Sequence, residues 1–298
     1  MTTPPMTPPS MTPPSMTLPS SALALIDAAL AEDVGPGDFT TLWTVPAERR
    51  AEGRIVAKAS GVVAGSEIAV EVFRRVDPSL RVTVDAADGT AVEPGDLAMT
   101  IRGSARSILT GERLALNFMQ RLSGVATVTR RYVRAVEGTG ARVIDTRKTT
   151  PGMRALEKAA VVAGGGANHR FGLHDMVMIK DNHIAAAGGI TAAVQAVRRR
   201  NDRALRVEVE TTSLDEVREA LAIGADRIMF DNMSVELMRE AVALVRAADP
   251  RPETEASGGI TLETIRGYAE TGVDFVSVGA LTHSAPSLDL SLQLRAAE

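Results

Sequence analysis

The segment after Gly124 alternates short apolar stretches with helical stretches, and this alternation limits the possible folds more than any other feature. Six apolar stretches are typical of strands: ARVID, MVMIK, LRVEVE, RIMFD, ETEAS and FVSVG. Most of the segments between them, such as LDEVREALAIGA, carry apolar residues at helical spacing. Strands that alternate with helices are normally parallel and joined by crossover helices. The pattern predicts an α/β domain over residues 124–284, either an open doubly wound sheet or a barrel.

Polar residues follow the carboxyl ends of these strands in almost every unit. They are Asp145 to Lys148, Lys180 to Asn182, Glu210, Asp231 and Asn232, Ser257 to Gly259, and Gly279. A barrel gathers all such strand ends around one pocket, whereas an open sheet gathers only those beside its switch point. This placement favours the barrel and predicts one site at the carboxyl ends of its strands.

The segment before Gly124 has another rhythm and predicts a separate domain over residues 21–123. Between Ala51 and Arg102, short β-like pieces alternate with turns rich in Gly and Pro, and the helical stretch SEIAVEVFRRV interrupts them. This pattern is typical of a small antiparallel sheet with one inserted helix. We expect a helix capped by Ser20 and Ser21 before the sheet, and a further helix over residues 104–119.

Residues 1–20 repeat an M-T-P-P-S unit without a charged side chain. Such a composition cannot bury a core, so we predict a disordered tail, and it fits neither a signal nor a transit peptide. The formal net charge of −4 makes nucleic acid an unexpected partner. The chain has no Cys, which fits a reducing compartment, and no apolar run of membrane-spanning length. We therefore expect a cytoplasmic protein.

The segment from Asp145 to Ile184 carries cations at its breaks. They are Arg147, Lys148, Arg170 and Lys180, with His169 beside Arg170. An Arg guanidinium matches a carboxylate or phosphate at two points, while Lys acts as a point charge. Each residue alone could form a surface salt bridge. Their clustering in a largely apolar segment predicts a site for a small polyanionic ligand.

Glu210 and Asp231 end consecutive predicted strands. In VEVE, Glu208 and Glu210 share one face because side chains alternate along a strand, although a strand covered on both faces should be almost wholly apolar. The carboxylates could bind ribose hydroxyls, hold Mg²⁺ or stabilise a developing cation. The alternative is a buried ion pair with Lys148 or Lys180. Spacing favours Glu210 over Glu208 as the residue that contacts a ligand.

Glycine turns follow the last two predicted strands. Ser257-Gly258-Gly259 precedes the stretch LETIRGYAE, and Gly279 follows FVSV. In barrels the last two loops often bind a phosphate through backbone N–H groups, although tight turns that need positive φ would show the same glycines. His183 and His283 lie near these breaks without zinc-ligand spacing. We expect them to form hydrogen bonds or caps.

The motifs along the chain resemble those of the quinolinate phosphoribosyltransferase family, the carboxylating nicotinate-nucleotide pyrophosphorylases. In order, they are EDVGPGD, SGVVAG, GERLALNFMQRLSGVAT, DTRKTTPGMR, GGGANHRFGLHD, MIKDNH, VEVE, FDN, EASGGI and VGALTHS. They cover nearly everything after the tail at family-like spacing. The resemblance implies an open-faced α/β sandwich domain followed by an incomplete α/β barrel of seven strands. We also expect residues 285–298 to pack on the N-terminal domain.

The resemblance further implies a reaction of NAD biosynthesis. Quinolinate and phosphoribosyl pyrophosphate would give nicotinate mononucleotide, pyrophosphate and CO₂, with Mg²⁺. The catalytic residues implied are Lys148, Lys180, Glu210 and Asp231. Those implied for the quinolinate carboxylates are Arg147, Lys148, His169, Arg170 and Lys180, joined by Arg113 from the partner subunit of a homodimer. Glu210 and Asp231 would bind ribose and metal, and the phosphate end would be lined by Ser257, Gly258, Gly259, Gly279 and His283.

Two other functions compete with this one. A relative with the same fold, of the molybdenum-pathway kind, would act on another acceptor, and a non-catalytic barrel would only bind a phosphorylated metabolite. The complete cation set argues against the first, because another acceptor would not need two carboxylate clamps. The presence of both Glu210 and Asp231 argues against the second. Assembly beyond a dimer stays open.

Overall fold

The structure, a computed structural model, describes residues 18–296. The predicted disordered tail falls mostly on residues 1–17, which lie outside the described part. Leu18 packs against the core and the first helix begins at Ser20, so described structure begins before the predicted boundary at residue 21. Within residues 18–296, none of the helices is both long and apolar enough to cross a bilayer.

An antiparallel sheet forms the N-terminal part of the molecule, as predicted. Its strands and those of a small two-stranded ribbon are β1 (Arg50–Ala57), β2 (Gly61–Val62), β3 (Arg81–Val84), β4 (Ala91–Val92), β5 (Leu97–Ser104) and β12 (Leu290–Ala296). The four-stranded sheet has the order β12-β1-β5-β3, and β2 pairs with β4. β12 pairs with β1 over Ala51 to Ala57. The C-terminal segment thus completes the N-terminal sheet.

Three short helices accompany this sheet: α1 (Ser20–Val34), α2 (Phe39–Thr44) and α3 (Ser66–Val76). α3 coincides with the predicted inserted helix and buries an apolar face that includes Val72 and Phe73. The predicted serine cap of α1 is wrong, because Pro19 occupies the cap position and no side chain accepts a hydrogen bond there. Ser20 and Ser21 lie inside the first turn, beyond the position where a hydroxyl caps.

The long helix α4 (Ala105–Ala135) connects the two halves of the chain. The sequence predicted a helix ending near Met119, but the helix continues through SGVAT for several more turns. Ser123, Gly124 and Val125 are buried in this extension. Tertiary packing therefore outweighs the weak helix propensity of these residues.

The second half contains the six predicted strands, and all six are confirmed. They are β6 (Arg142–Ile144), β7 (Val177–Ile179), β8 (Val207–Thr211), β9 (Arg227–Asp231), β10 (Glu253–Ser257) and β11 (Phe275–Ser277). Around them lie α5 (Arg154–Ala163), α6 (Asp181–Ala187), α7 (Ile190–Arg198), α8 (Leu214–Ala222), α9 (Val235–Arg246), α10 (Ile265–Ala269) and α11 (Ala280–His283). The strands pair in parallel in the order β6-β11-β10-β9-β8-β7. Because β6 and β11 are neighbours, the sheet is a barrel left open between β6 and β7.

The expected count of seven barrel strands is not met among the described residues. At the place of a second strand there is a single parallel bridge between Ile144 and Ala167. The backbone N–H of His169 donates to the Asp145 carboxylate at 2.9 Å instead of to a neighbouring strand. The segment also contains Gly164, Gly165, Gly166 and Asn168, and both residue types suit strands poorly. The gap between β6 and β7, which we call the seam, therefore stays open. The loop at this seam contributes side chains to the interior.

Side-chain alternation gives the barrel a polar interior near its carboxyl end. In β8, Val207 and Val209 belong to the apolar core, whereas Glu208 and Glu210 point to the other face. In β9, Met229 and Asp231 line the cavity that opens at the strand ends. The barrel thus buries charged groups beneath the site that the sequence predicted.

Candidate active site

A cavity of about 720 Å³ lies at the carboxyl ends of the barrel strands. Eleven of the predicted site residues line it: Arg147, Lys148, His169, Arg170, Lys180, Asp231, Ser257, Gly258, Gly259, Gly279 and His283. They come from six different strand ends and loops, as expected of a barrel site. The structure therefore brings together residues that are far apart in the sequence.

Two predicted residues do not line this cavity. Arg113 is exposed on α4 and is not part of the cavity wall of its own chain. Glu210 is buried to 8% exposure behind the wall, where its Oε2 lies 3.1 Å from Nζ of Lys180. The structure thus contains the ion pair with Lys180 that was the alternative interpretation of this carboxylate, and of the two residues only Lys180 lines the cavity.

The cations at one side of the cavity repel one another. Arg170 is half-buried and donates from Nη1 to the carbonyl of Met176 at 3.1 Å. Burial, followed by the positive charge of Arg147, lowers the pKa of Arg170 from its ordinary value. An anion placed between the two guanidinium groups would relieve this repulsion. The arrangement is thus better suited to a bound anion than to an empty pocket.

The opposite side is built from closely packed glycine turns. Gly258 has a φ of 96°, and a Cβ there would meet Oδ1 of Asn232 at 2.3 Å. A Cβ on Gly279 would lie 3.0 Å from Cδ of Lys148 and 3.2 Å from the ring of His283. A Cβ at Gly258 would collide with the backbone and side chain of Asn232, whereas a Cβ at Gly279 would require the side chains of Lys148 and His283 to shift. These glycines therefore allow the loops after β9, β10 and β11 to approach one another.

Beneath the cations lies a buried cluster that the sequence did not predict as a unit. Nε2 of His169 is 3.0 Å from Oε2 of Glu208 and 3.3 Å from Oε2 of Glu255. Both carboxylates are completely buried, and Nη1 of Arg227 lies 3.2 Å from Glu255. We refer to these four side chains as the floor cluster. Its members come from three strands and the open seam. The sequence singled out Glu208 as a carboxylate in an otherwise apolar strand, but spacing along the chain did not connect it with His169, Arg227 and Glu255.

The hydrogen bond of the other imidazole nitrogen, Nδ1, determines the tautomer of His169. Nδ1 accepts the backbone N–H of Arg170 at 2.6 Å, so the ring hydrogen of a neutral imidazole sits on Nε2, facing the carboxylates. A histidine that binds metal through Nε2 normally carries its hydrogen on Nδ1. The donor set of His169, Glu208 and Glu255 is compact, but this tautomer does not suit metal binding. Nδ1 thus accepts a backbone hydrogen bond, and Nε2 lies close to two buried carboxylates without a hydrogen bond of good geometry, although the ring lines the cavity.

Two raised pKa values indicate that the floor cluster holds a proton at neutral pH. Burial, reinforced by the charge of Glu255, raises the pKa of Glu208 to about 7. Burial opposes protonation of His169, but Glu208 and Glu255 outweigh it and raise the pKa of His169 to about 9. One proton shared by the two groups accounts for both shifts.

A second unpredicted group holds the seam segment against β6. Lys158 of α5 forms a buried ion pair with Asp145, and its Nζ donates to the carbonyl of His169 at 3.0 Å. Asp145 was predicted among the polar residues at the mouth of the pocket, but it is completely buried. Its carboxylate stabilises Lys158 and the backbone of His169 rather than a ligand. The signal for this pair was available, since Lys158 lies beside Leu156 and Val161 on the buried face of α5.

Both halves of the chain match the sequences of known proteins. A family model described as "Quinolinate phosphoribosyl transferase, N-terminal domain" matches residues 38–123, and the model of its C-terminal domain matches residues 125–293. A Synechocystis protein named probable nicotinate-nucleotide pyrophosphorylase (carboxylating) is 49% identical over 265 residues, covering 89% of this chain and 90% of that protein. A Bacillus subtilis protein with the same name is 45% identical over 270 residues, covering 91% of this chain and 92% of that protein.

Solved structures agree with the sequence matches. The crystal structure of NadC from Streptococcus pyogenes superposes with a TM-score of 0.91 at 42% identity, covering 95% of this chain and all of that one. The nicotinate-nucleotide pyrophosphorylase from Francisella tularensis superposes with a TM-score of 0.89 at 39% identity, covering 94% of this chain and 98% of that one. Both domains and nearly the whole described chain are shared. The chain therefore belongs to the quinolinate phosphoribosyltransferase family.

Proposed function

We propose that this chain transfers a phosphoribosyl group from phosphoribosyl pyrophosphate to quinolinate, giving nicotinate mononucleotide, pyrophosphate and CO₂. One observation carries the proposal: a single cavity holds clustered cations on one side and a carboxylate with glycine turns on the other. Quinolinate is a dianion and its co-substrate a polyphosphate, so each side suits one of the two reactants.

At the cationic side, we assign the quinolinate carboxylates to Arg147, Lys148, Arg170 and Lys180. Burial, followed by the charge of Arg147, lowers the pKa of Arg170. Bound carboxylates would offset the repulsion between the two guanidinium groups, which supports this assignment. His169 belongs to the same wall, but its nitrogens face inward. We therefore assign it to ring packing against the substrate and to fixing the backbone of Arg170.

At the centre of the cavity, the pyridine nitrogen of quinolinate attacks the ribose carbon that bears pyrophosphate. The new C–N bond forms as the C–O bond breaks, and pyrophosphate leaves with the electron pair. Positive charge develops on the ribose in this step, and fixed carboxylates stabilise it. Asp231 lines the cavity, while Glu210 acts through its 3.1 Å contact with Lys180. Afterwards CO₂ leaves from the carbon next to the nitrogen, and a proton replaces it.

We assign the 5′-phosphate of the ribose to Ser257, Gly258, Gly259, Gly279 and His283. Mg²⁺ would bind with pyrophosphate, because this ion keeps several waters and takes only one or two protein carboxylates beside substrate phosphates. Asp231 fits as such a ligand, since its carboxylate faces the cavity and is contacted by the amide of Asn232 at 2.7 Å. Glu210 fits less well while it pairs with Lys180. The ion would neutralise charge on the leaving pyrophosphate.

We further propose a homodimer with shared active sites. Arg113 is exposed and absent from its own cavity wall, which is where a residue that serves a neighbouring subunit would lie. In the cavity of the partner it would add one more guanidinium to the cationic side. Cytoplasmic location also stays a prediction.

The proposed function is tested by supplying quinolinate and nicotinate separately. With phosphoribosyl pyrophosphate and Mg²⁺, the purified protein should release pyrophosphate and form nicotinate mononucleotide only when quinolinate is present. The released CO₂ should match the pyrophosphate in amount, which carboxyl-labelled quinolinate would measure. Equal turnover of nicotinate, or pyrophosphate release without any acceptor, would refute the proposal.

A further inference from the structure

We propose that Arg121 and Glu157 are positioning residues that fix the separation between the two ends of the cavity. They do so by connecting the cation loop (residues 146–150) to the closing turn (residues 279–285). This inference rests on the proposed function, because it assigns the two loops to the two substrates. Neither Arg121 nor Glu157 lines the cavity, so both would act through the loops that they hold.

Arg121 of α4 makes contacts in two directions. Its Nη2 lies 2.8 Å from Oε1 of Glu157 in α5. Its Nη1 donates to the carbonyl of Ala285 at 2.8 Å, and Nη2 also donates to the carbonyl of Thr282. One guanidinium therefore connects α5 to the closing turn. A planar group with donors in fixed directions holds its partners at defined positions, which a lysine ammonium does less well.

Glu157 transmits this connection to the cation loop. Its side chain is completely buried. Thr150 donates its backbone N–H to Oε2 at 3.0 Å and its hydroxyl to Oε1 at 2.8 Å. Oε1 thus accepts from the Arg121 guanidinium and the Thr150 hydroxyl, and Oε2 from the Thr150 backbone. A buried carboxylate with donors on both oxygens, one of them charged, is strongly held in place. Thr150 lies two residues after Lys148, so its position constrains the loop that carries the predicted quinolinate contacts.

A third contact closes the ring of interactions. The hydroxyl of Thr282 in the closing turn donates to the carbonyl of Lys148 at 2.8 Å. The ring therefore runs from Arg121 through Glu157, Thr150 and the cation loop to Thr282 and back to Arg121. At the same place, the side chain of Lys148 fills the space beside Gly279, since a Cβ on Gly279 would lie 3.0 Å from Cδ of Lys148.

The ring has a direct consequence for the reaction. The cation loop holds the acceptor and the closing turn holds the phosphate end of the donor under the proposed function. In-line displacement requires the pyridine nitrogen and the ribose carbon to approach closely, and a misplacement of about 1 Å can cost about a hundredfold in rate. Loosening the ring should therefore lower kcat more than it raises either KM.

The decisive variants are Thr282→Val and Glu157→Gln, with Thr129→Val as the matched control. Thr282 and Thr129 are both completely buried threonines whose hydroxyls donate to a backbone carbonyl at 2.8 Å, but Thr129 bonds within α4, to Val125. We expect Thr282→Val to lower kcat roughly tenfold with a KM change of less than about threefold. Thr129→Val should keep the wild-type kcat, and Arg121→Lys should retain more activity than Arg121→Ala.

A double-mutant cycle separates positioning from general destabilisation. If Glu157 and Thr282 act through one ring, the double variant should lose little more kcat than the worse single variant. Assays well below each Tm restrict the comparison to folded protein, and Thr282→Val keeps the test valid if Glu157→Gln does not fold. An active wild type with unchanged kcat in Thr282→Val would overturn the inference alone. A wild type inactive with quinolinate would refute the proposed function and this inference with it.

Discussion

Arg147 and Arg170 differ in what surrounds them, and this difference decides what each substitution can reveal. Arg170 is half-buried and also donates to the carbonyl of Met176, so its removal disturbs the seam loop as well as the cavity. Arg147 is exposed within the cavity wall. A substitution of Arg147 is therefore the cleaner measure of the contact between a guanidinium and a ligand.

We predict that Arg147→Ala weakens quinolinate binding roughly ten- to a hundredfold, the effect of losing a charge-assisted contact of about 1.5–3 kcal/mol. Binding of phosphoribosyl pyrophosphate should change much less. Calorimetric titration with each ligand measures both effects. Arg218→Ala serves as control, since Arg218 pairs with the exposed Asp215 on α8 at 2.6 Å. Equal weakening of both ligands by Arg147→Ala would assign the residue to the general field of the cavity.

The floor cluster should make stability depend on pH. Above its ordinary pKa of 6.5, the imidazole of an unfolded chain is neutral, whereas the folded cluster keeps a proton until about pH 9. The folded state thus binds more protons in this window, so the free energy of unfolding falls as pH rises. The slope is at most about 1.4 kcal/mol per pH unit for one proton.

Glu208→Gln should flatten this slope, because the amide cannot take up the shared proton and attracts an imidazolium less. Chemical denaturation at pH 7, 8 and 9 provides the measurement. Asp215→Asn is the control, since the Asp215 side chain is 94% exposed. A wild-type slope retained by Glu208→Gln would contradict the assignment of the proton to the floor cluster.

Some of the predicted site residues carry a local signal that the missed residues lack. Lys148 and Lys180 were found because a charge after an apolar strand is visible in a single stretch of sequence. Glu255 and Arg227 are equally polar, but their meaning depends on partners from other strands. Glu157 lies in a helix, and its role depends on its contacts with Thr150 and with Arg121 of another helix. Contacts across the barrel interior depend on the closure of the sheet, which local periodicity does not specify.

At the scale of elements, α4 is longer than its local helix propensity predicts, because tertiary packing stabilises its second half. The local pattern supported a helix only to Met119, yet the helix continues to Ala135. Its second half carries Arg121, Gly124 and Thr129 against the barrel. Gly124 lies where the helix meets the segment after α11, and a Cβ there would come within 2.0 Å of the carbonyl oxygen of Pro286. Glycine is required at this position because the backbones of α4 and of the segment at Pro286 approach each other closely.

We expect Gly124→Ala to lower the free energy of unfolding by several kcal/mol, about 2–5, since overpacking against backbone is not relieved by a side-chain rotation. Gly267→Ala is the matched control, because Gly267 is also helical and its nearest neighbour would be Cγ2 of Val235 at 3.6 Å. That variant should be neutral or slightly stabilising. Urea denaturation of both decides the matter. A loss below about 0.5 kcal/mol in Gly124→Ala would mean that α4 and the segment at Pro286 separate easily.

At the scale of the whole molecule, the two domains depend on each other. β12, the last described strand, pairs with β1 in the N-terminal sheet, and α4 runs from that sheet to the barrel. The sequence allowed the two folds to be predicted separately, with a boundary at residue 124. The boundary falls inside α4, because the helix packs on both domains and no linker separates them.

The exposed position of Arg113, outside the cavity wall of its own chain, leads to a prediction about the assembly. Arg113→Ala and Lys148→Ala, each nearly inactive alone, should recover activity when the two variants are mixed. In a heterodimer, one cavity combines the intact Lys148 of one chain with the intact Arg113 of the other, while the second cavity carries both substitutions. Random pairing at equal amounts makes half of the dimers mixed, so about a quarter of wild-type activity should return. Co-refolding over a range of ratios measures the recovery, and each variant refolded alone is the control. Heterodimers verified by mass but without activity would place Arg113 in the cavity of its own chain, or make its role structural.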